Sequence, residues 1–177
     1  MSLALGINLE EGPDGQAGGH TRLGALEARA KVTPDEDAIG ELVTEFVETL
    51  RVVPGYSDAK LIAAVPPRPG KKYDLPSQIA ARVADELNLE NLTPRFQFAA
   101  AKGTVKTARV DEKWAAWERA GLSFEPALKK RPSVVLVDDK YQSGISIQYV
   151  ASVLRAAGAG HIYGLCVVKT RRDTDNA

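Results

Sequence analysis

"VVLVDDKYQSGIS", residues 134–146, decides the fold. Four apolar residues lead without a polar break into two adjacent carboxylates, Asp138 and Asp139, and a short polar loop containing Gly144 follows. A strand that is apolar at every position is buried on both faces, as the strands of a parallel sheet are. Such sheets bind their ligands beyond the carboxyl ends of the strands. "SVVLVD" therefore reads as a buried strand that stops at Asp138, where a site can be built. "ISIQYVASVLRAAGA" reads as the next helix, with Ile147, Val150, Val153 and Leu154 inward and Gly158 as its stop. Gln142, Ser143, Gly144, Ile145 and Ser146 stand at its start. Successive backbone amides there, with the positive end of the helix dipole, form an anion cradle, and Gly144 lets the backbone approach a phosphate closely. Two carboxylates beside an anion cradle suit a ligand that carries both phosphate and hydroxyls. The cradle takes the phosphate, while Asp138 and Asp139 accept hydrogen bonds from a sugar diol or approach a bound Mg²⁺.

Outward from this stretch, strands and helices alternate. "KLIAAV" (60–65) is a short buried strand that ends at Pro66-Pro67, and "IYGLCVV" is another strand after the helix. "TPDEDAIGELVTEFVETL" predicts a helix capped by Thr33, with Pro34 at its first position and Glu36 completing a capping box. Its apolar face is Ile39, Leu42, Val43, Phe46, Val47 and Leu50. "LPSQIAARVADEL" carries Ile79, Val83 and Leu87 four apart, and "DEKWAAWERAG" is weakly helical. Residues 93–110 show no clear period and read as a long loop, and residues 10–22, rich in glycine and polar side chains, read as a turn or a poorly ordered entry segment. The expected organisation is a flexible or hood segment over residues 1–22, an α/β domain over 23–172 and a polar tail over 173–177. Strands alternating with helices imply a mostly parallel twisted sheet flanked by helices in a single domain.

Bulk composition narrows the function classes. The chain of 177 residues is 44% hydrophobic, and its 23 basic side chains balance its 23 acidic ones, so nucleic acid is not indicated by the net charge. Cys166 is the only cysteine, which excludes an internal disulfide and a Cys-rich zinc site and points to a reducing compartment, the cytoplasm. No apolar run approaches the roughly 18 residues of a membrane span. Trp114 and Trp117 read as packing or interface residues, Cys166 as a small core residue, and Lys129 to Arg131 as a solvated basic surface.

The acidic pair, the glycine-containing turn and their place between a strand and a helix resemble the phosphoribosylpyrophosphate (PRPP) signature of the type I phosphoribosyltransferases, with ComF-type members nearest. "RLGALEARAKV" (22–32), "AAVPPRPGKKYDLPSQIAARVADEL" (63–87) and a basic loop before the signature fall in the expected order. The resemblance implies that Asp138 and Asp139 hold the ribose hydroxyls and the metal, and that Gln142 to Ser146 hold the 5′-phosphate. It implies a pyrophosphate-binding loop at Pro66 to Lys72, with Arg68, Lys71 and Lys72 as its cations, and a closing loop at residues 99–110 that brings in Lys102 and Lys106 as catalytic cations. Lys140 stands where the family has an apolar residue, beside two carboxylates with which it can pair, and Gln142 stands where the family has Thr. Two functions follow. One is PRPP- and Mg²⁺-dependent transfer of a phosphoribosyl group to a nitrogenous base. The other is a non-catalytic module of the same fold that recognises a nucleotide, PRPP or a nucleic-acid end. A homodimer or a larger protein assembly stays open for either.

Overall fold

A computed structural model describes residues 1–12, 17–100 and 110–170. The chain runs β1 (Ser2–Ile7), β2 (Leu9–Glu11), β3 (Ala17–His20), α1 (Arg22–Val32), α2 (Glu36–Val52), β4 (Leu61–Ala64), α3 (Leu75–Leu87), β5 (Glu90–Asn91), β6 (Phe96–Phe98), α4 (Val110–Ala120), β7 (Leu122–Phe124), β8 (Val134–Tyr141), α5 (Ile145–Ala156) and β9 (Ile162–Lys169). Five of these strands form one sheet in the order β1-β9-β8-β4-β5, and every neighbouring pair is parallel.

The central strands are apolar at successive positions because both sides of the sheet are covered. Ile62, Ala64, Val135, Val137, Leu165 and Val167 belong to a core shared with α1, α2 and α3. Ala63, Val134, Leu136 and Cys166 alternate with them and join a second core with Trp117 of α4 and Ile147, Val150 and Leu154 of α5. Helix α2 buries the whole apolar face read from its sequence, Ile39 through Leu50. Full burial of each large side chain contributes roughly 1.5–3 kcal/mol.

Four readings need correction. Helix α2 is capped by Asp35, whose side chain accepts the Ala38 N–H at 3.0 Å. Thr33 instead ends α1, so the capping box does not form. The N-terminal segment is built into the fold: β1 pairs with β9 from Ser2↔Gly164 to Ile7↔Lys169, β2 and β3 make an antiparallel ribbon, and Thr21 caps α1. Within the stretch read as a loop, Phe96–Phe98 pairs antiparallel with Leu122–Phe124, and the Phe96 and Phe124 rings meet edge to face with centroids 5.1 Å apart. Finally, β8 does not stop at Asp138. Its pairing with β4 ends at Ala64↔Val137, but its pairing with β9 continues to Tyr141↔Lys169.

That asymmetry places the site. From β4 the chain crosses through α3 to β5 on one side, and from β8 it crosses through α5 to β9 on the other. The two helices lie on opposite faces, as right-handed crossovers in opposite directions require. The strand order therefore reverses between β4 and β8, and the chain parts there to leave a crevice. The cap assignment is testable by urea denaturation: Asp35→Ala should lower the midpoint while Thr33→Ala leaves it unchanged, and equal losses would return the cap to Thr33.

Candidate functional site

The crevice is a cleft of about 1040 Å³. It gathers Asp138, Asp139 and the whole Gln142–Ser146 loop on one wall and Arg68 and Lys71 on the other, as expected from the sequence. Lys72 is exposed and does not line it. Lys102 and Lys106, with most of the expected closing loop, lie outside the described residues. The cleft also takes in Lys31 and Val32 from the end of α1, Asp74 from the start of α3, and Lys113 and Trp117 from α4, none of which was expected there.

The start of α5 is shaped by its backbone. Gly144 caps α5 in the left-handed region at φ 74°, and among the described residues no side-chain cap bonds to the first turn of the helix. The Gln148 N–H returns to the Gly144 carbonyl at 2.9 Å, so the amides before it in the first turn have no partner inside the helix. Glycine is needed here for a reason other than room for a phosphate. A Cβ on Gly144 would stand 2.6 Å from the Tyr141 hydroxyl and 2.8 Å from its ring, in a backbone conformation that side chains disfavour.

The two carboxylates differ sharply. Asp139 Oδ2 lies 2.6 Å from Lys31 Nζ, which also reaches Glu27 Oε1 at 3.0 Å. Glu27, only 1% exposed, is clamped from its other oxygen by Lys140 at 3.1 Å. Lys140 thus ties β8 to α1 and does not pair with the acids beside it. Burial disfavours the charge on Lys31, but Asp139 and Glu27 outweigh it and the ammonium is held more firmly protonated than usual. Among the described residues Asp138 accepts one hydrogen bond, from the Asp139 N–H to Oδ1 at 2.9 Å. Burial, then the charge of Asp139, push the Asp138 carboxyl well above the ordinary carboxylate range, with Asp74 adding to the rise. The Asp139 N–H and Lys31 pull the other way without reversing it. Beneath it, Cys166 pairs with Asp138 across the sheet; burial and these acids push the thiol up, so it stays an inert core group.

On the opposite wall, Lys71 Nζ bonds to Asp74 Oδ1 at 2.9 Å while Asp74 also accepts from Ser77 Oγ at 2.8 Å and caps α3. Trp117 stacks on Phe98, 6.2 Å away, and on Tyr149, 5.5 Å away, so it packs the second core while also lining the cleft. Asp138 and Asp139 are two carboxylates that the cleft could offer a metal, and Asp139 is already paired with Lys31. Among the described residues no group of three or more His, Cys, Asp or Glu side chains is placed to hold a metal unaided. No helix of the described residues is long and apolar enough to cross a membrane.

A fully parallel five-stranded sheet covered on both faces, with an acidic pair and a glycine turn at its switch point, defines an α/β fold of the type I phosphoribosyltransferase kind. The sequence matches no family model and no curated protein. Among solved structures, adenine phosphoribosyltransferase from Thermoanaerobacter pseudethanolicus is similar over 77% of this chain and 82% of its own, with a TM-score of 0.52 at 18% identity. UMP synthase from Leishmania donovani is similar over 96% of this chain with a TM-score of 0.49 at 18% identity, but this chain spans only 29% of that protein. Adenine phosphoribosyl transferase from Trypanosoma brucei, solved with AMP, pyrophosphate and ribose-5-phosphate, is similar over 96% of this chain and 78% of its own, with a TM-score of 0.47 at 12% identity. At such identities the likeness is one of fold.

The unequal acids make opposite predictions. A carboxyl raised in the folded state contributes stability at low pH that is lost as pH rises above the ordinary carboxylate range of about 4. Asp138→Asn should therefore stabilise the protein near neutral pH, on the order of 1 kcal/mol, with the gain shrinking as the pH is lowered toward that range. Asp139→Asn should destabilise it, because Lys31 loses a partner. Thermal melts across pH read both signs, and a destabilised Asp138→Asn would contradict the electrostatic account.

Proposed function

We propose that the cleft binds a 5-phosphoribosyl ligand, with the 5′-phosphate on the amides at the start of α5 and the ribose hydroxyls on Asp138 and Asp139, and that with PRPP it transfers the phosphoribosyl group to a nitrogenous base. The observation that carries this reading is the pairing, on one wall of one cleft, of an uncapped helix start with two carboxylates about one turn of chain before it. An uncapped helix start favours an anion and the carboxylates favour hydroxyl donors, so a phosphorylated sugar matches both. In the transfer, the bond from the anomeric carbon to pyrophosphate breaks, a bond from that carbon to a ring nitrogen of the base forms, and the base gives up its proton. Positive charge develops on the ribosyl carbon between those events, and Asp138 and Asp139 are the anions of the cleft placed to stabilise it. Asp138 and Asp139 would hold Mg²⁺, whose chemistry would be to neutralise charge on the leaving pyrophosphate. Arg68 and Lys71 on the facing wall support the same charge, and Lys102 and Lys106 are proposed to join them. ComF-type proteins are the relatives we propose for it, and the cytoplasm its compartment.

The second reading is a binding module without turnover, and one observation favours it. Lys31 already neutralises Asp139 and is held there by a buried Glu27, which reduces the negative charge offered to a ribosyl cation. Pyrophosphate release separates the readings. The parent protein with PRPP, Mg²⁺ and a panel of bases should release pyrophosphate, and Asp138→Asn with Asp139→Asn should reduce the efficiency by at least about a hundredfold, since hydrogen bonds to charged groups contribute roughly 1.5–3 kcal/mol each. A thermal shift with PRPP but no pyrophosphate from any base would leave the binding module. A companion variant, Gly144→Val, should abolish binding of ribose 5-phosphate by displacing Tyr141 and the cradle; titration calorimetry showing unchanged affinity would place the phosphate elsewhere.

A further inference from the structure

The two walls of the cleft offer different kinds of donor. The α5 wall presents backbone amides. The facing segment, residues 66–72, is "PPRPGKK", and Pro66, Pro67 and Pro69 have no N–H in any conformation. Of the amides around them, that of Val65 donates to the Val137 carbonyl at 2.8 Å and that of Lys71 to the Arg68 carbonyl at 3.1 Å. A backbone anion nest needs consecutive amides turned toward one point. The Arg68 amide is flanked in sequence by prolines, and the bonded Lys71 amide separates those of Gly70 and Lys72. Residues that precede proline are also held extended, which turns successive amides apart. Because proline lacks the donor outright, closure of the loop over a ligand cannot restore the nest. What this wall offers an anion is side-chain charge, from Arg68 and Lys71, and Lys71 already bonds to Asp74, a carboxylate only 8% exposed that adds a negative charge to the same wall.

We infer that the group facing the 66–72 wall is held by side-chain charge alone, so that the ligands this cleft selects are 5′-phosphomonoesters of ribose, such as ribose 5-phosphate and nucleoside 5′-monophosphates, with PRPP gaining little from its pyrophosphate. This rests on the reading of the α5 wall as the 5′-phosphate site. Exposed ion pairs are individually weak, and two of typical strength raise affinity by less than about tenfold. They are also screened by salt within about 10 Å at 0.1 M ionic strength. Under the transferase reading, PRPP would then have to be abundant for turnover.

Titration calorimetry of the full chain with ribose 5-phosphate and with PRPP, both without Mg²⁺ so that no metal on Asp138 and Asp139 adds to the hold on the pyrophosphate, at low and high sodium chloride tests this, together with the double variant Arg68→Ala, Lys71→Ala. The expected result is a PRPP advantage over ribose 5-phosphate of no more than about tenfold at low salt, lost at high salt and lost in the double variant, while ribose 5-phosphate binds parent and variant alike. A larger advantage at either salt overturns the inference, and so does a smaller one that persists in the double variant, since it would then come from the backbone. Failure of ribose 5-phosphate itself to bind is a separate outcome: it removes the phosphoribosyl reading of the cleft, and the inference goes with it.

Discussion

The parallel pairing of β4 with β8 ends at Ala64↔Val137, and the site depends on that ending. Up to that point both strands are buried on two faces and every side chain is apolar. Beyond it the Val65 amide makes one last bond to Val137, the chain turns away through Pro66 and Pro67, and β8 continues with only β9 beside it. Its residues from Asp138 to Tyr141 are only partly covered. Polar groups can stand there because water or a ligand can reach them, whereas two residues earlier they would be buried without partners. The crossovers leave in opposite directions from these two strands, so the same ending also brings the α5 and α3 helix starts to the two sides of the opening.

Charge at that opening is arranged by α1, an element with no part in the sheet. Glu27 sits inside the molecule between Lys31 and Lys140, and removing one partner of such a group costs more than the group contributes, because the remaining charge is left buried. The consequence reaches the cleft through Lys31. It pairs with Asp139 and leaves Asp138 to bear the effect of burial and of its neighbour's charge. Identical residue types one position apart are thereby given different partners by a helix more than a hundred residues earlier in the chain.

What was legible in the sequence was local. The apolar run of β8, the helical faces of α2, α3 and α5, and the glycine turn are each written within a dozen residues, and all stand where the pattern put them. The cap of α2 was misread because Thr33 and Asp35 are both competent caps two residues apart, and the choice is made by the geometry of the α1 exit and by Arg29, which pairs with Asp35 at 2.7 Å. Strand β1 was invisible because its partner is β9 at the far end of the chain, and a short strand of mixed residues carries no period of its own. The β6 and β7 pairing is hidden in the same way, with α4 lying between two strands of three residues. The Glu27 clamp did leave a trace. Leu23, Leu26 and Ala30 form the inward stripe of α1, and Glu27 lies on that stripe, where a carboxylate must find cations. Lys140, an unexpected cation on an apolar strand, was its partner, and only the fold joins them.

The fold serves a transferase and a binding module equally, so the difference must lie in interactions that strengthen as the reaction proceeds. On the proposed reading the α5 amides would hold a 5′-phosphate that does not change during transfer, and would contribute the same to substrate and transition state. The acids would differ, because charge would develop on the sugar beside them. So long as Lys31 remains on Asp139, much of that charge-stabilising capacity is already satisfied in the free protein. A ligand that drew Lys31 toward its own phosphates would release Asp139 for the ribosyl centre and place a cation on the leaving group in one movement, but Glu27 holds the same ammonium at 3.0 Å and opposes it. The strength of the Glu27 hold on Lys31, more than the presence of the acidic pair, is the quantity that sets how far this cleft can move from binding toward catalysis.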